Sequence, residues 1–224
     1  MLLLHYTDMA TAELALDRLC DPTAQVSAHY LIARDGRVFR LVSEQRRAWH
    51  AGRAWWAGES DINSRSIGIE LDNPGHSHGY GDFPEAQLVA LIALCRDILA
   101  RCPIPPHRVL GHSDVAPDRK IDPGHRLDWR RLARAGIGVF PESPPPAELD
   151  EAAVAGNLAR IGYRVGAPRF ADPATRAALE AFRRHWTPDA LGQPLHPRMA
   201  AMPAAVAELI PKAEKKLAPP RVNS

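Results

Sequence analysis

The sequence predicts an α/β domain followed by a small all-α domain, and three observations carry that reading. Short segments with strand-like alternation interleave with helix-period segments as far as residue 135, an order that folds into a sheet covered by helices. The pair Asp35-Gly36 separates two β-rich runs, a hairpin signal because such a turn needs positive φ. The proline cluster Pro144-Pro145-Pro146 then interrupts the chain, and only helical patterns follow it.

The elements read in order as follows. Leu2 to Tyr6 is a buried strand with Leu3, His5 and Thr7 on one face. Thr11 to Leu19 has helical spacing, with Leu14, Leu16 and Leu19 as its apolar positions. The hairpin runs from Ala28 to Arg34 and back from Arg37 to Val42. Ser66 to Leu71 alternates, so Ile67, Ile69 and Leu71 take one face and Gly68 and Glu70 the other. Pro84 to Leu99 is an amphipathic helix with proline near its first turn. Arg108 to Leu110 is a last short strand, followed by a loop rich in Pro, Asp and Gly up to Gly124. Asp128 to Ala135 is helical and closes the first domain, residues 1–141. Residues 142–147 form a semi-rigid proline linker. Helices over Leu149–Ile161, Pro173–Trp186 and about Ala204–Ile210 make a second domain, residues 148–212, and residues 213–224 read as a frayed tail.

A chain of 224 residues has room for one sizeable domain and a smaller one. With 46% hydrophobic and 24% charged residues the composition is that of a soluble globular protein. A net charge of +2 gives no reason to expect nucleic acid, and the chain is expected to act as a monomer. Cys20, Cys95 and Cys102 are odd in number and lack C-x-x-C spacing, which argues for reduced thiols over a disulfide framework. No stretch is apolar for long enough to span a membrane. Met1-Leu2-Leu3-Leu4 is too short for a signal peptide, so the sequence as written reads as cytoplasmic. A start further upstream would make it periplasmic or envelope-associated.

Most of the ten histidines are expected to be ordinary surface or core residues; His107, His125, His185 and His196 are read so, and His76-x-His78 lacks a third ligand. The loop Gly111 to Gly124 differs, because it places His112, Lys120 and Asp122 on one short segment. Pro123 biases Asp122 towards extended backbone, where Lys120 and Asp122 face the same side. A hydrolytic zinc site needs three protein ligands and one open position. His112 and Asp122 supply two, and His5 is well placed on its strand to be the third.

Five stretches in order carry a resemblance: Leu4-His5-Tyr6-Thr7, Val26 to Tyr30, Ala48-Trp49-His50-Ala51-Gly52, Asn63 to Gly75, and Gly111 to Gly124. Over Leu2 to about Pro141 the chain resembles the zinc-dependent N-acetylmuramoyl-L-alanine amidases of the AmpD/AmiD type, whose fold is shared with peptidoglycan recognition proteins. The run Ala135 to Pro141 ahead of a second domain looks more like the AmiD branch. The resemblance implies a central mixed sheet flanked by helices, with His5, His112 and Asp122 as ligands of Zn²⁺, Glu70 as the catalytic carboxylate and Lys120 as a charge stabiliser. It implies hydrolysis of the amide between muramic acid, or its 1,6-anhydro form, and the L-alanine of the peptide stem, with peptidoglycan or muropeptides as substrate. The alternative is a recognition protein that binds peptidoglycan without cutting it; loss of a zinc ligand would favour that, and none is lost.

The chemistry agrees. Two neutral imidazoles and one carboxylate leave Zn²⁺ a net positive charge and a strong Lewis acid. Glu70 can take a proton from water and pass it to the departing amine, and Gly68 beside it is read as leaving room for a ligand. Trp49, His50, Trp55 and Trp56 are read as a substrate wall, with at least one tryptophan packed against the hairpin instead. His29 is read as a core or supporting histidine, and Asn63 and Asn73 as further substrate contacts. In the second domain, Leu149, Leu158, Gly162-Tyr163, Thr175 to Leu179 and Phe182 resemble the three-helix peptidoglycan-binding module.

Overall fold

The computed structural model describes residues 1–211; the tail expected at 213–224 lies outside them. The strands are β1 (Leu2–Tyr6), β2 (Tyr30–Ile32), β3 (Val38–Arg40), β4 (Ile67–Leu71) and β5 (Val109–Gly111). They form one mixed sheet in the order β3-β2-β4-β1-β5. All neighbours are parallel except β2 and β3, the hairpin pair. The helices are α1 (Ala12–Cys20), α2 (Glu85–Arg101), α3 (His112–Val115), α4 (Trp129–Arg134), α5 (Glu151–Ile161), α6 (Pro173–Trp186) and α7 (Pro197–Glu208). Among the described residues no helix is long and apolar enough to cross a membrane.

A parallel sheet must be covered on both faces, and strand alternation decides what covers each. Leu2, Leu4 and Tyr6 of β1 join Ile67, Ile69 and Leu71 of β4 in a core completed by α2 and α4, through residues such as Leu91, Ile98 and Leu132. The other face carries Leu3, His5, Gly68, Glu70 and Leu110. At one side α1 lays Ala12 and Ala15 on Leu31 and Ala33. At the other, α5, α6 and α7 bring Leu158, Phe182, Trp186 and Val206 into one core with Leu3, Leu110, Val115 and Trp56. Residues 142–147 are therefore a mostly exposed connection between segments that share one apolar core. Beside α1 a cavity remains over His5 and Glu70.

Several local expectations are corrected. The hairpin turns through three residues: Ala33 N–H donates to Arg37 C=O at 2.9 Å, Gly36 N–H donates to Ala33 C=O at 2.9 Å, and of the Asp35-Gly36 pair only Gly36 takes positive φ. A single left-handed position after a turn suits the loop because the Asp35 carboxylate caps Arg37 N–H at 3.0 Å. On α1, Leu14 faces solvent, since the close approach to β2 is made by the small Ala12 and Ala15. The segment expected as loop after β5 opens with the helical turn α3. Helix α7 starts at Pro197, upstream of the expected Ala204, with proline at its first turn and Pro203 tolerated inside. Of Trp49, Trp55 and Trp56 only Trp56 is buried, and it packs edge-on to Tyr163 at 4.8 Å and not on the hairpin.

Trp56→Ala should therefore lower stability by about 3–5 kcal/mol, the usual cost of emptying a fully buried aromatic site, although the residue touches no expected metal ligand. Urea unfolding measures this; a change below about 1 kcal/mol would mean that the core does not run from the sheet into the C-terminal helices.

Candidate metal centre

Strand register builds the site. His5 lies directly opposite Glu70 across the β1–β4 ladder. Leu4 lies opposite Gly111 across the β1–β5 ladder, so His112, the next residue, emerges beside His5. The three side chains thus stand at the carboxyl ends of adjacent parallel strands, where open α/β sheets place their ligands. Asp122 arrives on the following loop, held by Ser113 N–H donating to Asp122 C=O at 2.8 Å. His5 Nδ1 lies 3.2 Å, and His112 Nδ1 3.0 Å, from the same Asp122 oxygen, and the two nitrogens are 3.0 Å apart. All three residues are buried.

The hydrogen bonds behind these side chains fix what they present. Ser66 gives its hydroxyl proton to Ile62 C=O at 2.6 Å, so it can only accept from His50 Nε2, 3.4 Å away. His50 Nδ1 is then an acceptor, and His5 Nε2–H donates to it at 3.0 Å. His112 Nε2–H donates to Ala51 C=O at 3.0 Å. Both Nδ1 atoms are left as lone pairs, facing each other and a carboxylate oxygen. Three acceptors at these distances repel unless a cation lies among them. A two-nitrogen, one-oxygen set with each imidazole anchored through its other nitrogen is the donor chemistry of zinc, so the residues present fit that ion.

Electrostatics support the same protonation states. Burial, and then the neighbouring His112, lower His5 to about 4, so it is neutral near pH 7. Glu70 behaves oppositely. Burial and then the Asp122 charge raise it well above its ordinary 4.5, with Lys120 opposing. Its Oε2 has no hydrogen-bond partner among the described residues. His5, Glu70, His112, Lys120 and Asp122 all line one open cavity of about 370 Å³, bounded by α1 through Ala15, Arg18 and Leu19.

The remaining expected site residues are placed differently. His50 borders the cavity but is buried, and its ring acts on His5. Gly68 does not leave room for a ligand: a Cβ there would lie 2.5 Å from the His50 ring, which fills the space. His29 is a supporting histidine whose Nδ1 accepts Gly68 N–H at 2.9 Å. Asn63 and Asn73 do not line the cavity. Asn63 Oδ1 accepts from His50 N–H and Ala51 N–H at 3.1 and 2.7 Å, clamping the segment that anchors both imidazoles. Asn73 braces its own loop, accepting from Gly75 N–H and donating to Gly81 C=O, each at 3.0 Å. Trp49 is exposed, but it too lies outside the cavity lining. Tyr6 and His76, not singled out from sequence as substrate contacts, do line it and are joined at 2.8 Å from Tyr6 Oη to His76 Nδ1. In the sequence Tyr6 follows His5 on the same strand end, and His76 stood out only as part of the His76-x-His78 pair.

Residues 1–125 match the family described as N-acetylmuramoyl-L-alanine amidase. The chain is 38% identical over 210 residues to N-acetylmuramoyl-L-alanine amidase AmiD of Escherichia coli K12, covering 84% of this chain and 75% of AmiD. It is also 43% identical over 108 residues to 1,6-anhydro-N-acetylmuramyl-L-alanine amidase AmpD of the same organism, covering 48% of this chain and 57% of AmpD. The structure of E. coli AmiD with anhydro-N-acetylmuramic acid-L-Ala-D-γ-Glu-L-Lys superposes with a TM-score of 0.83 at 35% identity, over 93% of this chain and 88% of that one. AmpDh3 of Pseudomonas aeruginosa with an anhydromuramic pentapeptide gives 0.81 at 32% identity, over 93% and 91%.

The raised Glu70 makes a signed prediction for metal-free protein. Its folded state holds the proton more tightly than the unfolded chain, so its stabilising contribution is present below 4.5 and lost as pH rises above it. Glu70→Gln cannot titrate. In urea unfolding of chelator-treated protein, the variant should gain stability relative to wild type from pH 4 to pH 8. A difference that does not change with pH would contradict the buried carboxylate.

Proposed function

The chain belongs to the N-acetylmuramoyl-L-alanine amidase family, and on that premise we propose that it cleaves the amide joining N-acetylmuramic acid, or its 1,6-anhydro form, to the L-alanine of a peptidoglycan stem. The observation that carries the proposal is the buried, unpartnered Glu70 carboxylate directly beside three converging acceptors at an open cavity. The bound anhydromuropeptides of AmiD and AmpDh3 support muropeptides as the substrate class.

His5, His112 and Asp122 would hold Zn²⁺, which when bound supplies the Lewis acidity that polarises the scissile carbonyl and makes water nucleophilic near neutral pH. Glu70 takes the proton of the attacking water. Buried and without a hydrogen-bond partner among the described residues, the carboxyl then releases that proton to the departing amine nitrogen, a far stronger base. Lys120, half-buried on the cavity wall, offers an ammonium to the oxygen that gains charge as the carbonyl becomes tetrahedral. His50 holds the His5 ring in the ligating tautomer. The helices of residues 148–212 are proposed as a second contact with the wall, through faces not packed on the sheet.

Glu70→Gln separates an enzyme from a pure binder. The variant should keep its zinc and its muropeptide affinity while the rate of free peptide release falls by about 10²–10⁴-fold. A near-wild-type rate would place the base elsewhere; lost zinc would make Glu70 a ligand. His112→Ala and Asp122→Ala should each abolish both metal uptake and turnover, read by metal analysis beside the peptide-release assay. A fully active metal-free sample would sink the zinc reading.

A further inference from the structure

Asp114 lies two residues beyond His112 on the turn α3, is 1% exposed, and faces away from the cavity. Its carboxylate is saturated from both sides. Oδ2 accepts Gly111 N–H at 2.7 Å and His185 Nδ1–H at 2.8 Å, and Oδ1 accepts the Tyr163 hydroxyl at 2.5 Å. Gly111 belongs to the strand that leads into the turn, whereas Tyr163 and His185 belong to the C-terminal helical segment. Both are themselves fixed. Tyr163 is wedged edge-on to Trp56, and the His185 ring is stacked between Trp129 at 3.7 Å and Trp186 at 3.6 Å.

The same turn carries the metal centre. His112 is its first residue, and Ser113 N–H holds the Asp122 main chain. Any rotation of α3 about Asp114 would displace one ligand directly and the other through that bond. The strand end allows little correction, because a side chain at Gly111 would meet Pro123 at 2.7 Å. We propose that Asp114 is a positioning residue of the metal centre, through which Tyr163, just past α5, and His185 of α6 set the orientation of His112 and Asp122. This rests on the reading of those two residues as zinc ligands. In this arrangement the helices following the proline linker belong to the metal site as much as to the core, because a buried carboxylate that loses one of its donors must shift to recover it.

The test measures metal binding and not turnover. Zinc affinity is read by competition with a chromophoric chelator, and ligand geometry by the visible spectrum of the Co²⁺-loaded protein. Asp114→Ala should weaken zinc binding by about 10–100-fold, the range for groups that orient metal ligands, and should alter the Co²⁺ bands. Tyr163→Phe keeps the ring in the core and removes only the hydroxyl; it should give a smaller loss, several-fold, with the same spectral change. This variant keeps the test decisive if Asp114→Ala folds poorly. Val206→Ala, fully buried in the same core but with a side chain that hydrogen-bonds to none of these groups, should lower stability in urea and leave affinity and spectrum unchanged. Wild-type affinity and spectrum in Tyr163→Phe, or an equal loss in Val206→Ala, overturn the proposal. If wild-type protein itself binds neither Zn²⁺ nor Co²⁺, the zinc reading fails and the positioning role fails with it.

Discussion

The in-register pairing of the central strand β1 with β4 on one side and β5 on the other is the constraint from which the site follows. Because side chains on parallel neighbours line up residue by residue, His5 can stand beside Glu70 and at the emergence of His112 in only one register. A slip of β1 by one residue would turn His5 to the opposite face, away from Glu70, and put Leu4 or Tyr6 in its place. The apolar alternation that buries Leu2, Leu4, Ile67 and Ile69 against α2 enforces that register. Core packing on one face thereby sets the chemistry on the other.

What the register assembles is electrostatically unfavourable without a cation. The chain of hydrogen bonds from Ile62 through Ser66 and His50 commits His5 to present a lone pair, and Ala51 commits His112 to do the same. These tautomers are set by buried neighbours before any ligand arrives, which lowers the reorganisation needed on binding. Glu70, next to this cluster but outside it, feels burial and the Asp122 charge together. A carboxylate kept short of partners in such a place is costly to the fold. It is also the state that a proton carrier requires, since a saturated carboxylate would hold its proton too weakly to accept one from water.

The C-terminal helices close the second face of the sheet. Leu3 and Leu110 would meet water without Leu158, Phe182 and Val206 above them. The cavity over His5 and Glu70 is bounded by α1, by His76 and Ser77, and by residues 119–122. Similarity to AmiD and AmpDh3 covers most of the chain, whereas the match to AmpD covers 48% of it.

The sequence by itself determined the strands, the alternation that separates Ile67, Ile69 and Leu71 from Gly68 and Glu70, and the grouping of His112, Lys120 and Asp122, because these are local patterns of period and spacing. His5 was legible for the same reason, as a polar residue in an otherwise apolar strand. Tertiary structure alone showed what His50, Asn63 and Asn73, expected as substrate contacts, hold in place: the His5 ring, the His50–Ala51 main chain and the loop after β4. A hydrogen bond between residues as distant as His5 and His50 leaves no periodic trace. Nor could the proline cluster reveal that Trp56 and Tyr163, far apart in the chain, share one core: a linker's composition reports its stiffness, while the packing beyond it depends on which apolar faces meet when the chain closes.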